Sequence, residues 1–149
     1  MSAKDAATSA NTFEGVTPVL RVASVRAAID YYVGALGFHH QWGNEGFACV
    51  ARDRCNLFLC EGDQGHFGTW VWIGVNDAAS LEAEYRAKGA RIRHPPTNYP
   101  WAYEMQVEDP DGNVLRFGSE PIAGRPFGEW LDMDGRAWPP REGGAVVRE

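Results

Sequence analysis

The chain has 149 residues and a formal net charge of −6, long enough for one domain with a real core. An acidic balance argues against nucleic acid as the main partner, because a phosphate-binding surface needs a basic excess. No apolar run reaches membrane-spanning length.

The first residues, M-S-A-K-D-A-A-T-S-A-N-T, are small and polar and lack the apolar centre of a secretory signal. Residues 1–16 are expected to form an N-terminal arm. Alternation in T-P-V-L-R-V (17–22) predicts a strand. Ser24 then fits the N-cap of a helix that presents Val25, Ala28, Ile29, Tyr32 and Leu36 on one face and stops at Gly37. Short strands follow at Phe38–Trp42, Phe47–Arg52 and Asn56–Glu61, separated by G-N-E-G and R-D-R-C turns. Cys49, Cys55 and Cys60 are odd in number and show no zinc-type or redox spacing, which predicts reduced thiols and a cytoplasmic protein.

The same order recurs. T-W-V-W-I-G-V (69–75) predicts a strand, Asp77 an N-cap, and Leu81 and Tyr85 the buried stripe of a helix that stops at Gly89. Strands are expected near Ala90–His94, Ala102–Glu108 and Asn113–Gly118, the last entered through the turn D-P-D-G-N (109–113). Thr17 and Trp70, Val22 and Val75, Ser24 and Asp77, and Tyr32 and Tyr85 are each 53 positions apart. A period of that size is an internal duplication. The fold class is therefore α+β: two tandem βαβββ modules, 17–61 and 69–119, within one domain, 17–119. Residues 120–149 form a C-terminal extension rich in Gly and Pro. It still carries Phe127, Trp130, Leu131, Met133 and Trp138, which predicts that 126–138 docks on the domain or on a partner subunit.

Two such modules ending in D-P-D-G-N resemble the glyoxalase, bleomycin-resistance and extradiol-dioxygenase superfamily, whose fold is the vicinal oxygen chelate fold. P-V-L (18–20), A-L-G-F (35–38), F-A-C-V-A-R-D (47–53), W-V-W-I (70–73), P-W-A-Y-E (100–104) and D-P-D-G-N-V-L-R-F (109–117) are similar to the bleomycin-binding resistance proteins in particular. The resemblance implies a curved mixed sheet with a concave cleft and with the helices on its outer face. It also implies a homodimer that exchanges N-terminal arms about a proline, here Pro18, an alternative being an ordinary proline at a strand start.

Enzymes of the superfamily hold a divalent metal on four cleft-facing side chains, usually His and Glu. Carried onto this chain, those positions are Thr17, Leu59 (to within one register step), Trp70 and Arg116. Trp offers only an N–H, Leu offers nothing and Arg is a permanent cation, so no metal or other cofactor is expected. His39, His40, His66 and His94 lack ligand spacing, and Glu61 alone is no chelate. No serine or cysteine sits in a nucleophile context.

The expected ligand-binding residues are instead Trp42, Phe47, Trp70, Trp72, Trp101, Tyr103 and Arg116. Val71, Ile73 and Val75 should lie under a helix, leaving Trp70, Trp72 and Gly74 on the open face. Packing between subunits would account for the same rings. Arg116 is expected either to touch ligand or to pair with Glu61, Glu104 or Glu108. The resemblance implies a metal-free protein that sequesters a bleomycin-like or other planar antibiotic without catalysis. Two alternatives remain: a metal-dependent enzyme with a relocated site, and a regulatory or assembly module.

Overall fold

In a computed structural model, which describes residues 10–137, the elements run β1 (Val19–Arg21), α1 (Val25–Gly34), β2 (His39–Gly43), β3 (Phe47–Arg52), β4 (Cys55–Cys60), β5 (Trp70–Gly74), α2 (Ala78–Ala87), β6 (Arg91–Asn98), β7 (Tyr103–Glu108) and β8 (Val114–Ser119). The two tandem βαβββ modules are present, each with its own four-stranded mixed sheet, β1-β4-β3-β2 and β5-β8-β7-β6. β1 runs parallel to β4 and β5 to β8, while the other neighbours are antiparallel. No helix among the described residues is long and apolar enough to cross a membrane.

Both helices begin where the side-chain chemistry places them. Ser24 Oγ accepts from Ala27 N at 3.1 Å, and Asp77 Oδ1 accepts from Ser80 N at 3.1 Å, each satisfying an amide that has no partner inside the helix. β1 is shorter than the T-P-V-L-R-V segment, starting at Val19, although the Pro18 carbonyl still accepts from Phe58 N at 3.0 Å. β6 is longer than expected and runs through Pro95 and Pro96. It is the outer strand of its sheet, and its pairing with β7 shifts register twice between Ile92 and Thr97, the two circumstances in which a strand tolerates proline.

One core joins the helix-side faces of both sheets. Leu20, Val50, Leu57 and Leu59 of the first module share it with Met105, Val107, Leu115 and Phe117 of the second, beneath Tyr32 and Tyr85. Polar contacts then lock the modules together. Arg52 grips Glu84 with two nitrogens at 2.8 and 3.0 Å and donates to the Leu36 carbonyl, which also receives the Tyr85 hydroxyl at 2.8 Å. That guanidinium holds the Glu84 carboxyl below its ordinary range. A cavity of about 830 Å³ opens beside this seam, lined in part by Phe38, Arg52, Asp77 and Glu84. Its main ion pair closes on itself.

D-P-D-G-N is a structural fastener. Asp109, 1% exposed, accepts at Oδ1 from Asp111 N and Asn113 N and at Oδ2 from Asn113 Nδ2 and the Tyr32 hydroxyl. Asn113 in turn donates to the Arg21 carbonyl at 3.0 Å and accepts from Thr69 N, while Asp111 accepts from Ala23 N at 3.0 Å. The turn between β7 and β8 thus holds the β1–α1 connection of the other module.

Candidate ligand-binding site

Each sheet has a second face, turned away from the shared core. On β5 the expected division is observed: Val71 and Ile73 pack against the core, so alternation puts Trp70, Trp72 and Gly74 on the front. Trp72 pairs in register with Arg116 of β8, which pairs with Gln106 of β7, and Gly118 pairs with Glu104. An added Cβ at Gly118 would meet Trp72 Cζ2 at 2.7 Å, so the indole lies directly on the glycine backbone. A side chain at that position would lift it.

The centre of this face is Glu104. It is 1% exposed, and its carboxylate is fully engaged. Arg116 Nε donates to Oε2 at 2.9 Å. Oε1 accepts from Arg116 Nη2 at 3.3 Å, from Trp72 Nε1 at 3.2 Å and from Trp101 Nε1 at 2.8 Å. Burying a carboxylate is costly unless charge and hydrogen bonds compensate it, and here one guanidinium and two indole N–H groups do so. The result is a pair of tryptophans fixed by their polar edges with their faces open: Trp72 is 51% and Trp101 47% exposed. Of the three carboxylates considered for Arg116, Glu104 is the partner.

The positions that the resemblance assigns to metal ligands carry groups that cannot chelate. Leu59 requires correction: it is buried in the core. Val19 pairs with Phe58 and Trp72 with Arg116, and Val19 and Trp72 are themselves 53 residues apart, so the equivalent of Arg116 is Phe58. The slip is one residue, and a phenyl ring is no better a donor than leucine. Among the described residues no three His, Cys, Asp or Glu side chains gather as a metal-binding group. Glu61 is engaged by Gly46 N at 2.9 Å. A divalent metal does not fit this donor set.

The front of the first sheet carries a separate aromatic set. Trp42 stacks on Phe47 with ring centroids 6.1 Å apart, and both lean on Phe58 at 5.4 Å. Trp42 is 49% exposed. Among the described residues no ring contact joins Trp42 or Phe47 to Trp72 or Trp101. Phe58 escaped the sequence reading because of the same one-residue slip.

The C-terminal extension adds a ring to the second sheet. Trp130 meets Trp101 edge-on at 5.8 Å and Tyr99 at 5.6 Å, and the Arg116 guanidinium lies over it at 4.5 Å. Behind Trp101, Tyr99 stacks in parallel at 4.8 Å. Tyr103 is covered by the Arg125 guanidinium and Trp70 by that of Arg93, at 5.4 and 5.0 Å. In the single chain Phe127 and Met133 are exposed, and the segment is held by its backbone and by Trp130. Trp138 lies outside the described residues.

A family model described as the Glyoxalase/Bleomycin resistance protein/Dioxygenase superfamily matches residues 15–117. Among solved structures, the bleomycin-binding protein of bleomycin-producing Streptomyces verticillus, complexed with copper(II)-bleomycin, is 28% identical with a TM-score of 0.65, covering 73% of this chain and 98% of that one. TioX from Micromonospora sp. ML1 is 20% identical, TM-score 0.63, covering 72% and 99%. TnmS3, an antibiotic binding protein from Streptomyces sp. CB03234, is 23% identical, TM-score 0.61, covering 75% and 99%. No curated protein matches the chain.

Proposed function

Because this chain belongs to the glyoxalase, bleomycin resistance protein and dioxygenase superfamily, we propose that it is a metal-free binding member that sequesters a planar aromatic or glycopeptide antibiotic and performs no chemistry on it. The observation that carries this reading is the Glu104–Arg116 pair. Where a catalytic relative would hold a metal-binding carboxylate, this chain has a guanidinium, and the neighbouring carboxylate serves to aim two indoles outward. Trp42, Phe47, Trp70, Trp72, Trp101 and Tyr103 are the proposed ligand contacts. Covering roughly 100 Å² of each half-exposed indole contributes on the order of 2 kcal/mol per ring, so three rings supply about 6 kcal/mol before the cost of association. Polar and further apolar contacts must supply the rest of the roughly −8 kcal/mol of micromolar binding. Similarity to the bleomycin-binding protein of Streptomyces verticillus supports the ligand class.

The same proposal makes the protein a cytoplasmic homodimer. The aromatic sets of the two sheets do not meet within one chain, and a second copy would close each set with the other. Phe13 and Val16 of the arm are almost fully exposed, which suits an arm that packs on a neighbour, with Pro18 as the hinge.

Titration with bleomycin, followed by tryptophan fluorescence, tests the binding. The expected result is a saturable change at micromolar concentration or tighter. Trp72→Ala should weaken it about tenfold, equivalent to ~1.4 kcal/mol, with unchanged circular dichroism. Fluorescence indifferent to bleomycin, phleomycin and other planar antibiotics at high micromolar concentration would sink the sequestration reading.

A further inference from the structure

The family match ends at residue 117, yet the chain beyond it is fastened to the second sheet with unusual care. Asn98, 2% exposed, commits its whole side-chain amide to this segment. Nδ2 donates to the Ile122 and Arg125 carbonyls at 3.1 and 3.0 Å, and Oδ1 accepts from Ile122 N at 2.8 Å. Its backbone carbonyl accepts from Gly128 N at 2.8 Å. Gly128 approaches so closely that a Cβ there would collide with the Thr97 methyl group. Farther along, Arg93 donates to the Met133 carbonyl at 2.6 Å. The segment then turns back on itself, with Asp132 Oδ1 accepting from Asp134 N and Arg136 N and a bridge joining Leu131 to Ala137. Trp130 sits between the two attachment points.

The segment and the sheet form an open depression of about 340 Å³, lined by Trp70, Trp130, Leu131, Asp132 and Met133. That volume lies at the lower end of small-molecule sites, enough for part of a ligand. Its two indole walls are each already faced by a guanidinium, Arg93 on Trp70 and Arg116 on Trp130. A cation–π contact draws on the ring's quadrupole, so a further cation gains less from rings already so occupied. The charges at the site already have partners: Arg116 is paired with Glu104, and the Asp132 carboxylate in the lining accepts from the Asp134 and Arg136 amides. A flat uncharged ring gains stacking and apolar burial without disturbing them.

We infer that the C-terminal extension builds a subsite of the ligand cleft, in which Trp130 together with Trp70 receives a flat, uncharged fused-ring group. The inference rests on the ligand-binding reading of this sheet face, but not on the identity of the drug. Trp130 thereby becomes a specificity-determining residue supplied from outside the duplicated modules.

Equilibrium dialysis of the full chain with 2-naphthol, and with naphthylmethylammonium as a cation of the same ring system, tests it. The wild type should bind the naphthol and take up the ammonium at least threefold more weakly. Trp130→Ala should weaken naphthol binding at least tenfold, Trp130→Phe should restore it to within threefold of the wild type, and Phe127→Ala, on the same extension but outside the lining of the depression, should leave it unchanged. Naphthol binding by a wild type that ignores bleomycin supports the subsite while removing the antibiotic reading. Absence of naphthol binding, equal or tighter uptake of the ammonium, or unchanged or tighter binding by Trp130→Ala overturns the subsite. Tighter binding by Trp130→Ala would make the extension a plug.

Discussion

Glu104→Ala is expected to lower the unfolding free energy by about 3 kcal/mol, near the lower end of the cost of breaking a buried ion pair, and to abolish ligand binding in the same protein. The size follows from what is left behind. Arg116 loses its only ion-pair partner among the described residues, and the indole N–H groups of Trp72 and Trp101 lose their acceptor. Arg116 remains about a quarter exposed, which lets water recover part of the loss and keeps the figure near 3 rather than 5. The binding loss is separate, because both rings lose the bond that fixes their orientation. Glu104→Gln separates the two effects. It keeps an acceptor oxygen of similar reach, so stability recovers in part, while the uncompensated Arg116 charge remains. Urea unfolding and a bleomycin titration on both variants read the two consequences independently.

Asp109→Ala should cost a similar amount, about 3 kcal/mol, since two backbone amides, the Asn113 amide and the Tyr32 hydroxyl all lose one buried acceptor. The Tyr32 contact joins the two modules and the other three shape the turn that holds them together, so unfolding should stay cooperative but occur at lower denaturant. A pH signature distinguishes this carboxyl from most. Burial raises it above the ordinary aspartate value, against the opposing hydrogen bonds from Asn113, Asp111 and Tyr32. Between the ordinary and the raised values the folded state binds more protons than the unfolded one. Stability from this group is therefore greatest below the ordinary carboxylate range and falls as pH rises through the raised value. Asp109→Asn does not titrate, so the wild-type advantage over it should be larger at acid than at neutral pH. Denaturation curves at the two pH values measure that difference, and an advantage that grows toward neutral pH would contradict the assignment.

Local chemistry made much of the fold legible. The 53-residue spacing marked the duplication, Ser24 and Asp77 cap the two helices as their side chains suggested, and β3 occupies Phe47–Arg52 as alternation and its flanking turns required. The slip between Leu59 and Phe58 has a specific cause. In C-N-L-F-L-C both faces of the strand are apolar, so a period of two no longer says which face meets the core. β6 runs past the expected Ala90–His94 because an outer strand with shifted register accommodates Pro95 and Pro96. Glu104 could be considered as a partner for Arg116, but its role in gathering two indoles depends on residues from three strands and a loop. The Asn98 anchor was invisible for the same reason. One side chain satisfying backbone groups 24 and 27 residues away leaves no periodic trace.

The proposed function is capture by aromatic surface without a metal. Calorimetric titration of chelator-treated protein with metal-free bleomycin tests that claim most directly. Saturable binding at micromolar affinity or better, at one site per chain and unchanged by chelation, is the predicted result. Binding that vanishes on chelation and returns with a stoichiometric divalent metal would contradict it.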